Sequence, residues 1–280
     1  SAGVLRELEH LTPFPNGTET IYGRGLIRRA YRGVETISHG GLWPGYRTEY
    51  LRAPGHDLAV IAIANSGAID PNALAHRVLD MMLDRAGVVP APVLPKEAAL
   101  PQPGHYVNDA TGETLDIAVS DGGAVTLTSY GQAVMAEATD DGWLAVPRSS
   151  TVLAVRAAGA AAVEVRQDAG VVSLWHRAAE GSALPDDLPG TYASDEMDTR
   201  WQIICGAVGG AMMLRATGPV VRGAVWPLEA VTERDARAHI PGTLWRMWFD
   251  LRIEREPGGR IIGLTVNGGR AKAVRFLREG

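Results

Sequence analysis

An internal repeat constrains the fold of this chain more than any other feature of its sequence. Residues 103–109 return in similar form as residues 189–195. Two further pairs of similar segments follow in the same order, residues 116–119 with 202–205 and residues 163–166 with 251–254. Three matches in one order indicate a duplicated unit.

Each copy of the repeat consists of short alternating runs and glycine-rich turns, over about 85 residues. Runs of this kind predict roughly eight short antiparallel strands per copy. A closed barrel is an economical way to hide the edges of so many strands. We therefore expect two antiparallel eight-stranded β-barrels, one in residues 103–184 and one in residues 185–280.

Composition also favours a mainly β chain. The sequence has 33 glycines and 17 prolines, and only 21% of its residues are charged. Such a composition predicts many turns, because glycine supplies positive φ angles and proline interrupts regular elements. Residues 1–90 show both strand-like and helix-like patterns and are expected to form an incomplete α/β domain. The proline-rich residues 91–102 predict an extended linker before the barrels.

Residues 1–90 contain recognisable strand and helix signals. Four strand-like runs predict an antiparallel meander: residues 20–28, 32–38, 42–52 and 58–65. A helix is expected next, with Asp70 as its N-cap and Pro71 in its first turn. Apolar residues at helical spacing predict its buried face: Leu74, Val78, Met81 and Met82.

Charge and composition argue against several classes of function. The net charge is −5 and the basic residues are scattered, so we expect no nucleic-acid partner. No apolar run reaches the roughly 20 residues that span a bilayer. The chain begins Ser-Ala-Gly, and we expect the natural N-terminus and any targeting signal to be missing. The compartment, cytoplasmic or periplasmic, therefore stays open.

Cysteine and histidine usage gives no sign of a metal or a cofactor. Cys205 is the only cysteine, so no intrachain disulfide can form, and we expect it to serve as a small apolar strand residue. The seven histidines are dispersed without metal-ligand spacing. Residues 23–25 lack the third glycine of a dinucleotide fingerprint. We expect neither a metal nor a cofactor.

The segment around His39, Gly40 and Gly41 is the most informative for chemistry. A strand beside a nucleophile needs small residues, so that a substrate backbone can lie against it and a strand N–H can help to hold an oxyanion. A cationic or hydrogen-bonding His39 would polarise the network around that nucleophile. Trp43, close to the glycines, would line the pocket. Taken alone, His-Gly-Gly also fits a turn or a structural histidine.

The order of features around this segment resembles the penicillin-recognising serine hydrolases. His39-Gly40-Gly41 is similar to the His-x-Gly form of their third motif, found in class C-like esterases and D-aminopeptidases. Residues 22–23 before it, residues 45–47 after it, and a strand ending at Asn65 before a helix follow the family's order. With two barrels appended, the chain looks most like a bacterial D-aminopeptidase.

This resemblance implies that residues 1–90 are the C-terminal part of a β-lactamase- or transpeptidase-like catalytic domain, and that a serine forms an acyl-enzyme. The members it resembles release N-terminal D-amino acids from short peptides or amides. A small peptide or amide is therefore the expected substrate, without a membrane partner. Homodimers occur among members of the family, so we expect one here.

The family's first motif, Ser-x-x-Lys, is absent. The two lysines are Lys96 and Lys272, and the residues three positions before them are Val93 and Gly269. The nucleophile would therefore lie upstream, and this chain alone is expected to be inactive. Residues 106–108 match the second motif, Tyr-x-Asn. Their counterparts in the repeat are residues 192–194, so we interpret that tyrosine as a barrel feature.

A polar segment, residues 234–242, is expected to form a loop of the second barrel. The resemblance implies that a loop of the last barrel narrows the pocket, and Asp235 and Gly242 are its candidate substrate-binding residues. Asp235 would pair with the terminal ammonium of a substrate. A surface loop without function remains the alternative. For the whole protein, the alternatives are an esterase or β-lactamase-like hydrolase, or a non-enzymatic module that binds peptides or cell-wall fragments.

Overall fold

A computed structural model describes residues 2–11, 21–43, 45–88, 100–139, 142–146, 153–167, 172–206, 211–219, 221–240, 247–269 and 271–280. The chain divides into two compact units. Unit 1 comprises residues 1–99, 136–156 and 164–173, and unit 2 comprises residues 100–135, 157–163 and 174–280. The predicted linker falls largely on residues 89–99, which lie outside the described residues. The predicted domain boundaries stay a prediction.

Unit 1 contains a four-stranded antiparallel sheet with strand order β1-β2-β3-β4. Its strands are β1 (Ile27–Tyr31), β2 (Val34–Trp43), β3 (Tyr46–Ala53) and β4 (Leu58–Ala64). Arg32 and Gly33 connect β1 to β2 with φ angles of 52° and 76°. Two successive positive φ angles are the geometry of a two-residue hairpin whose twist matches that of its strands. The predicted meander is confirmed in outline.

The sequence predicted one strand that ends at residue 38 and another that begins at residue 42, and this interruption is wrong. β2 continues through His39, Gly40 and Gly41, which pair with Tyr50, Glu49 and Thr48 of β3. Glycine suggested a turn there, but the cross-strand ladder keeps the backbone extended.

Two helices accompany this sheet in the described residues, α1 (Ala2–Glu9) and α2 (Pro71–Arg85). The expected start of α2 is confirmed, because the Asp70 carboxylate accepts a hydrogen bond from the Ala73 amide at 3.0 Å. Its expected buried face is wrong. Ala75, Leu79 and Leu83 form the buried face and pack with Leu51 and other residues of the sheet.

The predicted stripe of α2 faces outward instead. Leu74, Val78, Met81 and Met82 are all exposed. The two stripes lie side by side on the same helix, so the periodicity of apolar residues alone did not distinguish them.

The middle of the chain forms a nine-stranded, nearly closed antiparallel sheet with the order β8-β7-β6-β5-β13-β12-β11-β10-β9. Its strands are β5 (Gly104–Asn108), β6 (Thr114–Val119), β7 (Val125–Ser129), β8 (Gln132–Met135), β9 (Glu137–Ala138), β10 (Leu144–Ala145), β11 (Leu153–Ala157), β12 (Ala162–Gln167) and β13 (Val172–Arg177).

The C-terminal strands form a closed eight-stranded barrel, β14 to β21. They are β14 (Gly190–Ser194), β15 (Thr199–Cys205), β16 (Met212–Thr217), β17 (Arg222–Ala230), β18 (Asp235–Ile240), β19 (Met247–Arg255), β20 (Ile261–Gly268) and β21 (Ala271–Arg278). Tyr192 of β14 pairs with Arg278 of β21, which closes the barrel. Aromatic rings fill its interior, and Trp201 stacks on Phe276 with centroids 4.1 Å apart. The prediction of a mainly β chain with barrels is confirmed, although the first sheet has nine strands.

Two tyrosines at equivalent positions of the sequence repeat make the same hydrogen bond. Tyr106 and Tyr192 are both buried. Each hydroxyl donates a hydrogen bond to the carbonyl four residues earlier, at 2.7 Å to Gln102 and 2.6 Å to Leu188. The interpretation of Tyr106 as a barrel feature is thereby confirmed.

Cys205 is exposed at the end of β15. The expectation of an apolar strand residue is correct for its place in a strand, but the side chain is not part of the barrel core.

Candidate functional site

His39 lies in the middle of β2, on the face of the sheet that points away from α2. Leu51 of β3 packs with α2, and side chains alternate between faces along a strand. Tyr50, directly opposite His39, therefore points to the other side together with His39. The ring of His39 is half-buried.

Tyr22 is the side-chain partner of His39. Its hydroxyl lies 2.9 Å from His39 Nε2, and the two rings meet edge to face with centroids 6.0 Å apart. A bridge between Tyr22 and Ile27 fixes the backbone of this tyrosine beside β1. Sequence reasoning used residues 22–23 only as a landmark and missed this contact, because no motif spacing links the two residues.

Gly40 and Gly41 lie close to side chains of β3. A Cβ at Gly40 would lie 3.0 Å from Glu49 Oε2, and a Cβ at Gly41 would collide with Thr48 Oγ1. The absence of side chains at these positions therefore accommodates Glu49 on one face and Thr48 on the other. Thr48 shares its face with His39, so its hydroxyl adds a polar group that sequence reasoning did not identify.

Glu49 is a buried carboxyl group beneath Gly40. It is 4% exposed, and burial raises its pKa above the ordinary value of 4.5, against the opposing effects of a hydrogen bond with Asn72 and the charge of Arg29. A raised pKa means that the folded state favours the protonated carboxyl. Ionisation of Glu49 consequently costs folding free energy as pH rises.

Glu49→Gln is expected to be more stable than the wild type at neutral pH. The amide keeps the size of the side chain and carries no charge at any pH, so the cost of burying a carboxylate is removed. The advantage should shrink as pH falls and vanish below about 4.5, where the carboxyl is protonated in both the folded and the unfolded state. Urea unfolding between acidic and neutral pH measures this difference.

The control for this variant is Glu35→Gln, which removes an exposed ion pair with Arg28. It should change the free energy of unfolding by less than about 1 kcal/mol. Destabilisation by Glu49→Gln at neutral pH would contradict the expected burial cost.

Exposed apolar side chains surround the face that carries His39. Ile61 and Ile63 of β4 stand opposite Tyr50 and Thr48, and they are 68% and 76% exposed. Trp43, the expected pocket residue, is 71% exposed at the end of β2. Within the described part of the chain, β4 has one strand neighbour, β3. These three apolar side chains are therefore exposed on the face of the sheet that carries His39.

The predicted loop at residues 234–242 is wrong in its first part. Asp235–Ile240 form strand β18, and Gly242 lies outside the described residues. Asp235 is buried, and its carboxylate accepts a hydrogen bond from Arg252 Nε at 2.7 Å. Its charge is thus already neutralised within unit 2, which leaves the proposed pairing with a substrate ammonium without support.

Arg237 organises a buried polar cluster in unit 2. Its guanidinium donates two hydrogen bonds to the Asp116 carboxylate at 2.6 and 3.0 Å and a third to Thr114 Oγ1 at 2.8 Å. It also lies over the Trp248 ring, 4.3 Å from the centroid. These contacts join residues of β6 to β18 and β19.

Asp250 is the most deeply buried carboxyl group of this cluster. Burial raises its pKa to about 7, while hydrogen bonds from Thr114 and the charge of Arg237 act in the opposite direction. Thr114 donates from its amide at 3.0 Å and from its hydroxyl at 2.5 Å, and Trp248 Nε1 donates at 3.0 Å. The donors satisfy the carboxylate, so the cluster holds the two parts of unit 2 together.

Lys272 has a comparable structural role. Its ammonium group contacts the carboxylate of Glu113 and the hydroxyl of Tyr130. Lys272 and Tyr130 hold the buried Glu113 ionised, and its pKa is lowered although burial acts to raise it. This lysine is therefore committed to an ion pair.

No group of three or more metal-ligating side chains comes together in the residues that the structure describes. Over the same residues, neither helix has the length and apolar character needed to cross a membrane.

No protein-family profile matches this chain, and no curated protein sequence matches it. Solved structures give structural matches, among them the following three. The octameric penicillin-binding protein homologue from Pyrococcus abyssi is 14% identical, with 99% of this chain and 42% of that chain covered and a TM-score of 0.26. SurE with D-Leu is 20% identical, and SurE is 21% identical, each with a TM-score of 0.28.

The two SurE matches cover 63% of this chain and 44% and 42% of the matched chains. This chain therefore spans less than half the length of each matched structure. TM-scores in this range carry no argument about the fold or the activity of this chain.

Proposed function

We propose that this chain is the C-terminal part of a serine hydrolase of the penicillin-recognising type, which acts through an acyl-enzyme. The observation that carries the proposal is the face of the β1–β4 sheet, where half-buried His39 lies beside Gly40 and Gly41 and next to exposed apolar residues. A domain that covered this face would bury Ile61 and Ile63, and it would bring a nucleophile within reach of His39.

The outward stripe of α2 supports the same proposal, and so does the edge of β4, which has no second strand neighbour among the described residues. Leu74 and Met81 leave apolar surface uncovered on the helix. An edge strand that carries exposed isoleucines without a charged residue lacks the features that normally prevent pairing with another strand. Both surfaces are expected where a larger domain has been divided.

The proposed substrate is a short peptide or amide with an N-terminal D-amino acid, and the proposed assembly is a homodimer. Attack by a serine on the carbonyl, followed by hydrolysis of the acyl-enzyme, would release the D-residue. An esterase or a β-lactamase-like hydrolase would use the same chemistry on a different acyl donor.

Serine-directed labelling tests the proposal. This chain alone should show no covalent labelling by a fluorophosphonate probe, whereas a longer protein that includes the upstream part of the gene should be labelled at an upstream serine. In that longer protein, His39→Ala should lower kcat for D-amino acid amides by about 100-fold, the scale for loss of one acid-base or oxyanion-network group.

The matched control is His56→Ala, which removes an exposed histidine from the short 3₁₀ helix Pro54–His56. It should leave kcat within about threefold of the wild type. Stoichiometric labelling of the chain alone, or an equal loss of activity in both variants, would contradict the proposal.

A binding module is the second candidate, favoured by an open concavity on the closed barrel that is lined by polar and apolar residues. It has a volume of about 850 Å³, and its lining includes Thr191, Asp195, Arg200 and Gln202. If the longer protein is neither labelled nor active, titration of this chain with D-amino acid peptides and cell-wall fragments would test binding at this surface.

A further inference from the structure

We infer that the Tyr22 hydroxyl holds His39 in the tautomer that carries its proton on Nδ1, so that His39 offers an N–H donor to an oxygen atom of a ligand. The tautomer follows from the contact between Tyr22 and His39 and from the chemistry of the two side chains, without reference to a ligand. The identification of the ligand oxygen as a substrate carbonyl or carboxylate rests on the proposed function.

The contact between the two side chains has the geometry of a hydrogen bond. The 2.9 Å separation of the Tyr22 hydroxyl and His39 Nε2 is within the normal range. The edge-to-face arrangement of the rings, with 69° between their planes, also excludes a stacked contact. The bridge between Tyr22 and Ile27 fixes the backbone from which the tyrosine side chain extends toward His39.

The chemistry of the two groups decides which of them donates. A neutral imidazole has one protonated nitrogen and one nitrogen with a lone pair, whereas a phenol can donate or accept. The imidazole lone pair is far more basic than the phenol oxygen, because the pKa of an imidazolium is about 6.5 and a phenol oxygen is protonated only in strong acid. The favoured arrangement therefore has Tyr22 donating to Nε2. The proton of the neutral ring must then be on Nδ1.

The second ring nitrogen is available for a ligand. His39 Nδ1 has no hydrogen-bond partner among the residues that the structure describes. The ring shares its face of the sheet with Thr48, whose hydroxyl lies over Gly41. An N–H donor and a hydroxyl on one face match a ligand that presents acceptor oxygens, as a carbonyl or a carboxylate does.

This tautomer changes the role expected of His39. With a proton on Nδ1 and the Nε2 lone pair engaged by Tyr22, the ring has no free basic nitrogen. His39 would therefore polarise or hold a substrate oxygen rather than remove a proton from the nucleophile. Tyr22 acts through His39 and is a positioning residue.

Nitrogen-15 NMR of the histidine rings tests the inference on this chain as it stands. Long-range proton–nitrogen spectra of the neutral rings distinguish a protonated from an unprotonated ring nitrogen. The His39 signals are assigned by their loss in His39→Asn. We expect a protonated Nδ1 and an unprotonated Nε2 in the wild type. A ring protonated on Nε2 would overturn the inference.

Tyr22→Phe provides the second arm of the test. Removal of the hydroxyl should shift His39 toward the Nε2-protonated tautomer, which an unconstrained imidazole side chain prefers. Tyr46→Phe is the matched control, because Tyr46 is an exposed tyrosine of β3, and it should leave the His39 signals unchanged. Retention of the Nδ1-protonated ring in Tyr22→Phe would overturn the role of Tyr22.

The wild-type spectrum alone decides the tautomer, so the inference stays testable even if Tyr22→Phe does not fold. The spectrum also does not depend on hydrolysis. Failure of serine labelling in the longer protein would contradict the proposed function but not the tautomer. An Nε2-protonated ring in the wild type would contradict the tautomer but not the proposed function.

Discussion

Arg237→Ala is expected to lower the free energy of unfolding of unit 2 by about 3–5 kcal/mol, the cost of removing one partner from a buried ion pair. The Arg237 side chain is 2% exposed, and its guanidinium satisfies Asp116 and Thr114 at once. Without it, His105 is the side-chain hydrogen-bond partner left to Asp116 among the described residues, and Asp250 loses a nearby positive charge. Equilibrium unfolding in urea, followed by tryptophan fluorescence, measures the loss.

Arg260→Ala is the control for this prediction. Arg260 pairs with Glu256 at 2.8 Å, but its side chain is 74% exposed. An exposed ion pair contributes about 0–1 kcal/mol, so the two arginine variants should differ by several-fold in their effect. A loss below about 1 kcal/mol for Arg237→Ala would show that the cluster is not a source of stability.

Leu79→Ala should lower the free energy of unfolding of unit 1 by about 2–5 kcal/mol, the range for truncation of a buried leucine. Leu79 is 1% exposed and packs with the sheet through the buried face of α2. Truncation removes apolar contacts and leaves a cavity between helix and sheet. Thermal unfolding monitored by circular dichroism would record the loss as a lower melting temperature.

The same substitution at Leu74 is the control for the helix. Leu74 lies on the same helix but is 47% exposed, so Leu74→Ala should change stability by no more than about 0.5 kcal/mol in this chain. An effect equal to that of Leu79→Ala would mean that the two faces of α2 are assigned the wrong way round.

The helix illustrates what local sequence signals can and cannot decide. Asp70 and Pro71 predicted the start of α2 correctly, because capping depends on residues within one turn. The buried face depends on the sheet against which the helix packs. Two stripes of apolar residues have suitable spacing, and the larger side chains of Leu74 and Met81 favoured the wrong one. The small Ala75 belongs to the true interface because it allows close approach.

The errors around the candidate site have a similar cause. The glycines at 40 and 41 suggested a break in the strand, whereas they lie in the ladder opposite Glu49 and Thr48, whose side chains occupy the space beside them. The contact between Tyr22 and His39 joins two segments without a recognisable spacing. Charged residues at 235 and 237 suggested a loop, because their partners Arg252 and Asp116 are distant in sequence. In each case a non-local neighbour decides the structure.

The pairing of β14 with β21 brings the two ends of the C-terminal barrel next to each other. Because Tyr192 and Ala193 of β14 lie beside Arg278 and Leu277 of β21, the first and last strands are as close as any two strands joined by a hairpin. A short peptide could join them, and new ends could be placed in the turn between β19 and β20 without loss of a strand pair. A barrel permuted in this way would keep the same pairs of neighbouring strands, β14 with β21 included.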